Sequence, residues 1–167
     1  MTKTKENLKS AFAGESMANR KYLAFSKKAD EEGFPQIARL FKAAAEAETV
    51  HAHNHLRIMG GIGTTEQNLQ DAIKGETHEF KEMYPGFIEV AAEEEENRAN
   101  WSFNIANDVE EIHAELYKKA AEALKENKDL PVVDYYVCQV CGNTVEDSPP
   151  DKCPICNAPL SSFDLIN

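Results

Sequence analysis

The sequence predicts a mainly α protein: a four-helix bundle over residues 1–130, followed by a small metal-binding domain over residues 131–167. Three observations lead there. Composition changes abruptly near residue 127, from Ala, Glu, Lys and Leu to a proline-rich tail. Upstream of that point, apolar residues recur at helical spacing along four segments. Downstream, all four cysteines fall in two Cys-x-x-Cys pairs, Cys138/Cys141 and Cys153/Cys156.

The first helix runs from about residue 4 to 32 and stops at Gly33, a residue suited to a left-handed C-cap. The second starts near Pro35, tolerated in a first turn, and ends at Gly60-Gly61. The third begins after Gly63-Thr64-Thr65 and continues to about residue 95, with Tyr84-Pro85 expected to kink it or interrupt its bonding. The fourth spans about residues 98–126, and no strong breaker separates it from the third, because residues 93–96 are all glutamate. Short connections make neighbours antiparallel, so two hairpins form a bundle. A linker at about residues 127–134 leads to a tail carrying Pro131, Pro149, Pro150, Pro154 and Pro159. A segment that short buries little surface and needs a staple, which metal supplies.

Charge and composition exclude several function classes. The chain has 167 residues, 18 basic and 29 acidic side chains, and a net charge of −11. That balance argues against nucleic acid or an anionic membrane as partner. A hydrophobic fraction of 42% supports a real core. No apolar run approaches the ~18 residues of a membrane span, and the first residues carry no signal-peptide stretch. A cytoplasmic protein is expected, and in that reducing compartment paired cysteines read as a metal site.

Each helical stripe carries one glutamate near its middle: Glu15, Glu48, Glu76 and Glu110. Gathering carboxylates in an apolar interior is prohibitive without a cation, and no Lys or Arg shares these stripes at that level. Metal is the remaining counter-charge. Glu-x-x-His occurs twice, as Glu48/His51 and Glu110/His113, and residues three apart share a helix face. One Glu from each of two helices plus Glu-x-x-His from two others is the donor set of two-metal carboxylate bundles. Oxygen and imidazole donors suit iron or manganese, and iron where redox chemistry is the purpose. A lone Glu-x-x-His is usually an exposed polar pair, but two copies with two inward glutamates reverse that judgement. Glu79, one turn beyond Glu76, is either solvated or a fifth carboxylate. His51 and His55 permit a competing site, but His55 lies a turn from the glutamate level. His53, His78, Glu111 and residues 93–96 are expected at the surface.

The cysteine pairs form two knuckles, each followed by a residue that tolerates positive φ, Gly142 and Asn157. Such turns aim N–H groups at sulfur. Four thiolates make a tetrahedral site for zinc or a single iron, so a stabilising ribbon and a one-electron carrier both fit.

With these motifs in this order the chain resembles the rubrerythrins, ferritin-like di-iron bundles fused to a C-terminal rubredoxin-like domain. The resemblance rests on Phe12-Ala13-Gly14-Glu15-Ser16, Glu48-x-x-His51, Gly75-Glu76-Thr77-His78-Glu79-Phe80, Glu82-Met83-Tyr84-Pro85, Glu110-x-x-His113 and both knuckles. It implies an oxo- and carboxylate-bridged di-iron centre held by Glu15, Glu48, His51, Glu76, Glu79, Glu110 and His113, and a single iron on Cys138, Cys141, Cys153 and Cys156. Glu48 and Glu110 would bridge, and Glu76 with His113 would hold the second iron. On the first, His51 would serve the reduced state and Glu79 the oxidised one. Tyr22 and Tyr84 match tyrosines beside the family's site, or are simply core aromatics. The implied activity is reduction of hydrogen peroxide to water in oxidative-stress protection. Electrons would come from NAD(P)H through a soluble donor, rubredoxin or a reductase, and then through the rubredoxin-like iron. A homodimer or higher homo-oligomer is implied, with the cysteine iron of one subunit near the di-iron site of another. The short connection at residues 60–65 matches compact members, some of which exchange helices between subunits. A ferroxidase or iron-storage bundle is the alternative enzyme, though it needs no electron-carrying tail. A helical interaction protein with a zinc ribbon is the non-enzymatic alternative, and the buried carboxylates weigh against it.

Overall fold

The structure is a computed structural model that describes residues 2–166. It divides into two compact units, residues 1–63 and 64–167.

The first unit is a helical hairpin of α1 (Lys3–Glu31) and α2 (Pro35–Ile58). Thr2 caps α1 by accepting from the Lys5 N–H at 3.4 Å. Gly33 at φ 82° turns the chain, and the Phe34 N–H returns to the Ala29 carbonyl at 2.8 Å. The expected left-handed stop is therefore present. Small side chains let the two helices approach: Ala29, Ala38, Ala45 and Ala52 are buried. Asn19 is the buried polar group between them. Its side-chain amide donates to the Ala45 carbonyl at 2.7 Å and to Thr49 Oγ1 at 2.8 Å. Ser26 adds a bond to the Ala38 carbonyl at 2.8 Å.

The second unit opens with α3 (Thr65–His78), whose start is fixed by a capping box between Thr64 and Gln67. The interruption expected at Tyr84-Pro85 takes a specific form. Residues Glu79–Met83 make a π-turn, closed by the Tyr84 N–H bonding back five residues to the Glu79 carbonyl, and α4 (Tyr84–Glu93) continues from it. Pro85 lacks an N–H, and its ring crowds the carbonyl four residues back, so the turn before it widens. The join to α5 (Asn97–Lys125) is made by Glu95 at φ 57°, a left-handed turn without glycine. Asn100 ties the two helices by donating to the Ile88 carbonyl at 3.0 Å.

A three-stranded antiparallel sheet of order β2-β1-β3 follows, built from β1 (Tyr135–Cys138), β2 (Thr144–Glu146) and β3 (Phe163–Ile166). Its core is Cys138, Cys153, Ala158 and Phe163, so the thiols themselves are a large part of what this lobe buries. No described helix is long and apolar enough to cross a membrane.

Candidate metal centres

Each unit builds a carboxylate–imidazole triad. In the first, Glu15 from α1 meets Glu48 and His51 from α2, with ligand atoms within 4.8 Å of one another. In the second, Glu76 from α3 meets Glu110 and His113 from α5 within the same limit. Helical spacing causes this: three residues advance about 300°, so both members of each Glu-x-x-His face the opposing helix. His51 Nδ1 lies 2.9 Å from Glu48 Oε2, and His113 Nδ1 lies 2.8 Å from Glu110 Oε2.

The triads differ in how their histidines are held. His51 is 55% exposed at its side chain, and its Nε2 has no hydrogen-bond partner among the described residues. His113 is 28% exposed and is gripped on both nitrogens, because its Nε2 lies 3.0 Å from Thr144 Oγ1 on β2.

In the second unit, burial and neighbouring carboxylates shift several groups. Burial, then the Glu110 carboxylate, pushes Glu76 up to about 7. Burial and Glu110 likewise raise Glu79 above the ordinary carboxylate range. The Tyr84 phenol is raised by burial and by the Glu110, Glu79 and Glu76 carboxylates. His113 moves up as well, because its bond to Glu110 outweighs the opposing effect of burial. A divalent cation would offset the burial and mutual repulsion of Glu76, Glu79 and Glu110, so the donor set fits the metal that the sequence implies.

Glu79 stands outside both triads, on the π-turn one helical step from Glu76. Tyr22 packs against Phe25 and Phe41, and Tyr84 against Phe87 and Phe103. His55 joins no triad and leaves a buried Nδ1 unpaired. His53, Glu111 and residues 93–96 are exposed, as expected, and exposed His78 pairs with Glu82 at 3.2 Å.

The four cysteines converge as the third cluster, with Cys138 and Cys156 sulfurs 3.7 Å apart and those of Cys141 and Cys153 3.5 Å apart. The knuckles are near-copies of each other. Gly142 N–H bonds the Cys138 carbonyl at 2.8 Å, and Asn157 N–H bonds the Cys153 carbonyl at 2.9 Å. Both turn residues take the positive φ anticipated from sequence, 85° and 60°. Backbone N–H groups then meet sulfur: Asn143 at Cys141, Ile155 and Cys156 at Cys153, Ala158 at Cys156. Burial opposes ionisation of Cys153, but its two N–H donors and neighbouring thiols bring it down to about 7. Burial pushes Cys141 and Cys156 up. Four converging sulfurs with pre-aimed donors fit a tetrahedral metal.

Three residues at this lobe were not singled out by the sequence. Buried Asn143 donates to Cys153 Sγ at 3.7 Å. Thr144 meets His113, and Glu146 accepts from Lys119 of α5 through both oxygens at 2.7 and 2.8 Å. The thiolate lobe therefore lies against α5 of its own chain, beside His113. Thr144 and Glu146 tie β2 to α5 and bring the thiolate lobe beside the Glu76–Glu110–His113 triad of the same unit.

The chain matches the rubrerythrin family model over residues 6–121 and the rubredoxin-like domain of rubrerythrin over residues 136–164. It is 41% identical to Rubrerythrin-2 of Clostridium acetobutylicum, across 96% of this chain and 95% of that one. Identity to nigerythrin of Nitratidesulfovibrio vulgaris is 37%, across 96% and 85% of the two chains. A solved structure of nigerythrin in its fully reduced, all-ferrous state superposes with a TM-score of 0.59 at 34% identity, covering 99% of this chain and 88% of that one. The fold class is that expected from the sequence, a mainly helical ferritin-like bundle followed by a rubredoxin-like domain.

Proposed function

Because the chain belongs to the rubrerythrin family, a group of di-iron oxidative-stress proteins with a rubredoxin-like domain, we propose that it is a non-haem peroxidase reducing hydrogen peroxide to water. On the family pattern, the residues of the two triads, with Glu79, would supply the ligands of a di-iron centre, and the four cysteines would hold a single iron. We assign residues 1–130 to the di-iron bundle and 131–167 to the electron-carrying domain. Electrons enter from a soluble NAD(P)H-linked reductase or rubredoxin. A cytoplasmic homodimer or higher homo-oligomer fits this chemistry.

The observation that carries the reading is the contact between His113 of one triad and Thr144 of the thiolate lobe, 3.0 Å. It sets a candidate electron-entry site against a candidate reaction site, an arrangement a storage bundle has no use for. When bound, an iron pair would give the carboxylate site two-electron reducing chemistry, and an iron on the four cysteines would add one-electron transfer.

The chain's own residues divide the remaining work. His113, held at both nitrogens, is the fixed imidazole. His51, exposed and held at one nitrogen only, is free to swing. Glu79 sits in a π-turn, whose looser bonding lets a side chain change position at low cost. The family resemblance, rather than a contact within this chain, implies that His51 and Glu79 would exchange as the oxidation state changes, since a harder ferric ion favours carboxylate over imidazole. Burial and the Glu110, Glu79 and Glu76 carboxylates raise the Tyr84 phenol, which favours its O–H form, and we assign it as a hydrogen-bond donor toward the site. Tyr22 packs with Phe25 and Phe41 inside the first hairpin, and on the family pattern we assign it to the wall of the site.

The test is anaerobic peroxide consumption by iron-loaded protein with a reductase and NAD(P)H. Sustained consumption, two electrons per peroxide, supports the reading. Iron oxidation with deposition of ferric mineral and no peroxide turnover moves the assignment to a ferroxidase.

A further inference from the structure

The Thr144 hydroxyl lies between two groups. It donates its one proton to the Gly142 carbonyl at 3.2 Å, and His113 Nε2 lies 3.0 Å away. With that proton committed, the hydroxyl oxygen can only accept, so the imidazole must bring an N–H at Nε2. A neutral ring protonated there has a bare lone pair at Nδ1. That lone pair faces Glu110 Oε2 at 2.8 Å, inside the cluster shared with Glu76. Two acceptors that close need a proton or a metal ion to satisfy them, and with Nε2–H committed to Thr144 the Nδ1 lone pair is the one available to a metal.

We propose that Thr144 is a positioning residue for the Glu76–Glu110–His113 site: its hydroxyl fixes the His113 tautomer that turns Nδ1 toward the metal position. Its place on β2, two residues after the Cys141-Gly142 turn, makes the thiolate lobe part of the support of the carboxylate site. The opposite arrangement has a distinct chemistry. If the hydroxyl rotated to donate to a bare Nε2, the Gly142 bond would break, and a proton on Nδ1 would bond Glu110 directly and exclude a cation. The Gly142 carbonyl also approaches the ring and is the acceptor left when the hydroxyl is removed. Among the described residues His51 Nε2 has no such partner, which sets the two triads apart.

The proposal rests on His113 being a metal ligand, and its test needs no peroxide. Full-length protein labelled with ¹⁵N-histidine is given one equivalent of zinc to fill the thiolate site. Long-range ¹⁵N–¹H NMR, above the pH at which the ring titrates, then reads which nitrogen carries the proton. Wild type and Thr144→Ser should show a slowly exchanging Nε2–H on His113; Thr144→Val, left with the Gly142 carbonyl alone, should exchange it faster. Anaerobic titration with ferrous iron should show roughly tenfold weaker binding in Thr144→Val and wild-type binding in Thr144→Ser, the low end of what losing a ligand-orienting partner costs. A wild-type ring protonated at Nδ1 overturns the proposal, as does a valine variant indistinguishable in both measurements. Should the valine variant not fold, the wild-type and serine spectra still decide the tautomer. Absence of peroxidase activity would remove the functional reading and leave this result standing.

Discussion

The side-chain amide of Asn143 donates to Cys153 Sγ across 3.7 Å, reaching from the first cysteine knuckle to a sulfur of the second. Asn143 is 1% exposed, so this bond forms inside the lobe's core, where water does not compete. A donor at sulfur withdraws charge and favours the reduced, more negative iron site. Asn143→Leu should therefore lower the reduction potential of the iron-loaded lobe. If the bond distinguishes the oxidation states by about 1 kcal/mol, the drop is roughly 40 mV for one electron. A redox titration of the visible thiolate-to-iron absorption checks this. An unchanged potential would leave Asn143 with a packing role alone.

Asn19 gives a stability prediction within the first unit. Replacing it with Ala removes the donor that serves both the Ala45 carbonyl and Thr49 Oγ1. Thr49 itself bonds Ala45 O at 3.2 Å, so the carbonyl keeps one partner. The expected loss is ~1–3 kcal/mol, read from denaturant unfolding of the metal-free protein. A loss well below this range would mean the helices close over the gap.

The carboxylate cluster predicts a pH dependence. Glu76 rises from the ordinary carboxylate range to about 7, with Glu79 and His113 also raised. A group whose folded value lies above its unfolded one stabilises the fold at low pH and loses that contribution as pH rises through the folded value. Metal-free protein should therefore melt lower at pH 7.5 than at pH 5.5, other charges being equal. Metal at the triads should remove the effect, because the cation replaces the protons. Thermal melts across that window, with and without ferrous iron, test it. A melting temperature that climbs with pH in the metal-free protein contradicts the cluster's electrostatics.

Glu79→Ala should fold, bind iron and turn over peroxide poorly, slowed about tenfold or more. Glu79 lies outside both triads, so it is the carboxylate least needed to neutralise ferrous ions at rest. Wild-type turnover with an unaltered ferric spectrum would return Glu79 to a surface role.

How much of this was legible in the sequence depended on how local each cause was. Glu48 with His51, and Glu110 with His113, are joined by helix geometry three residues apart, so their pairing was readable. Glu15 and Glu76 were readable because a carboxylate on an apolar stripe asks for a partner. Gly142 and Asn157 announced the knuckle turns. Pro85 announced a disturbance but not its shape: a missing N–H shows where bonding fails, and only the packed helix selects the widened turn at Glu79–Met83. Glu95 at φ 57° had no signal, since glutamate rarely turns left-handed and tertiary contacts decide that it does. Thr144 lies 31 residues from His113, and nothing between them in sequence hints that β2 docks on α5.

If peroxide reduction at the carboxylate centre is sustained through the thiolate lobe, exchanging the metal in that lobe will decide it. Full-length protein is prepared with iron in the triads and either iron or zinc on Cys138, Cys141, Cys153 and Cys156. Zinc preserves the tetrahedral fold and the Thr144 contact but carries no electron. Single-turnover oxidation by peroxide should be the same in both forms at matched triad iron, and steady-state consumption with reductase and NAD(P)H should collapse in the zinc form. Undiminished steady-state turnover with zinc in the lobe would show that electrons enter elsewhere and would contradict the account.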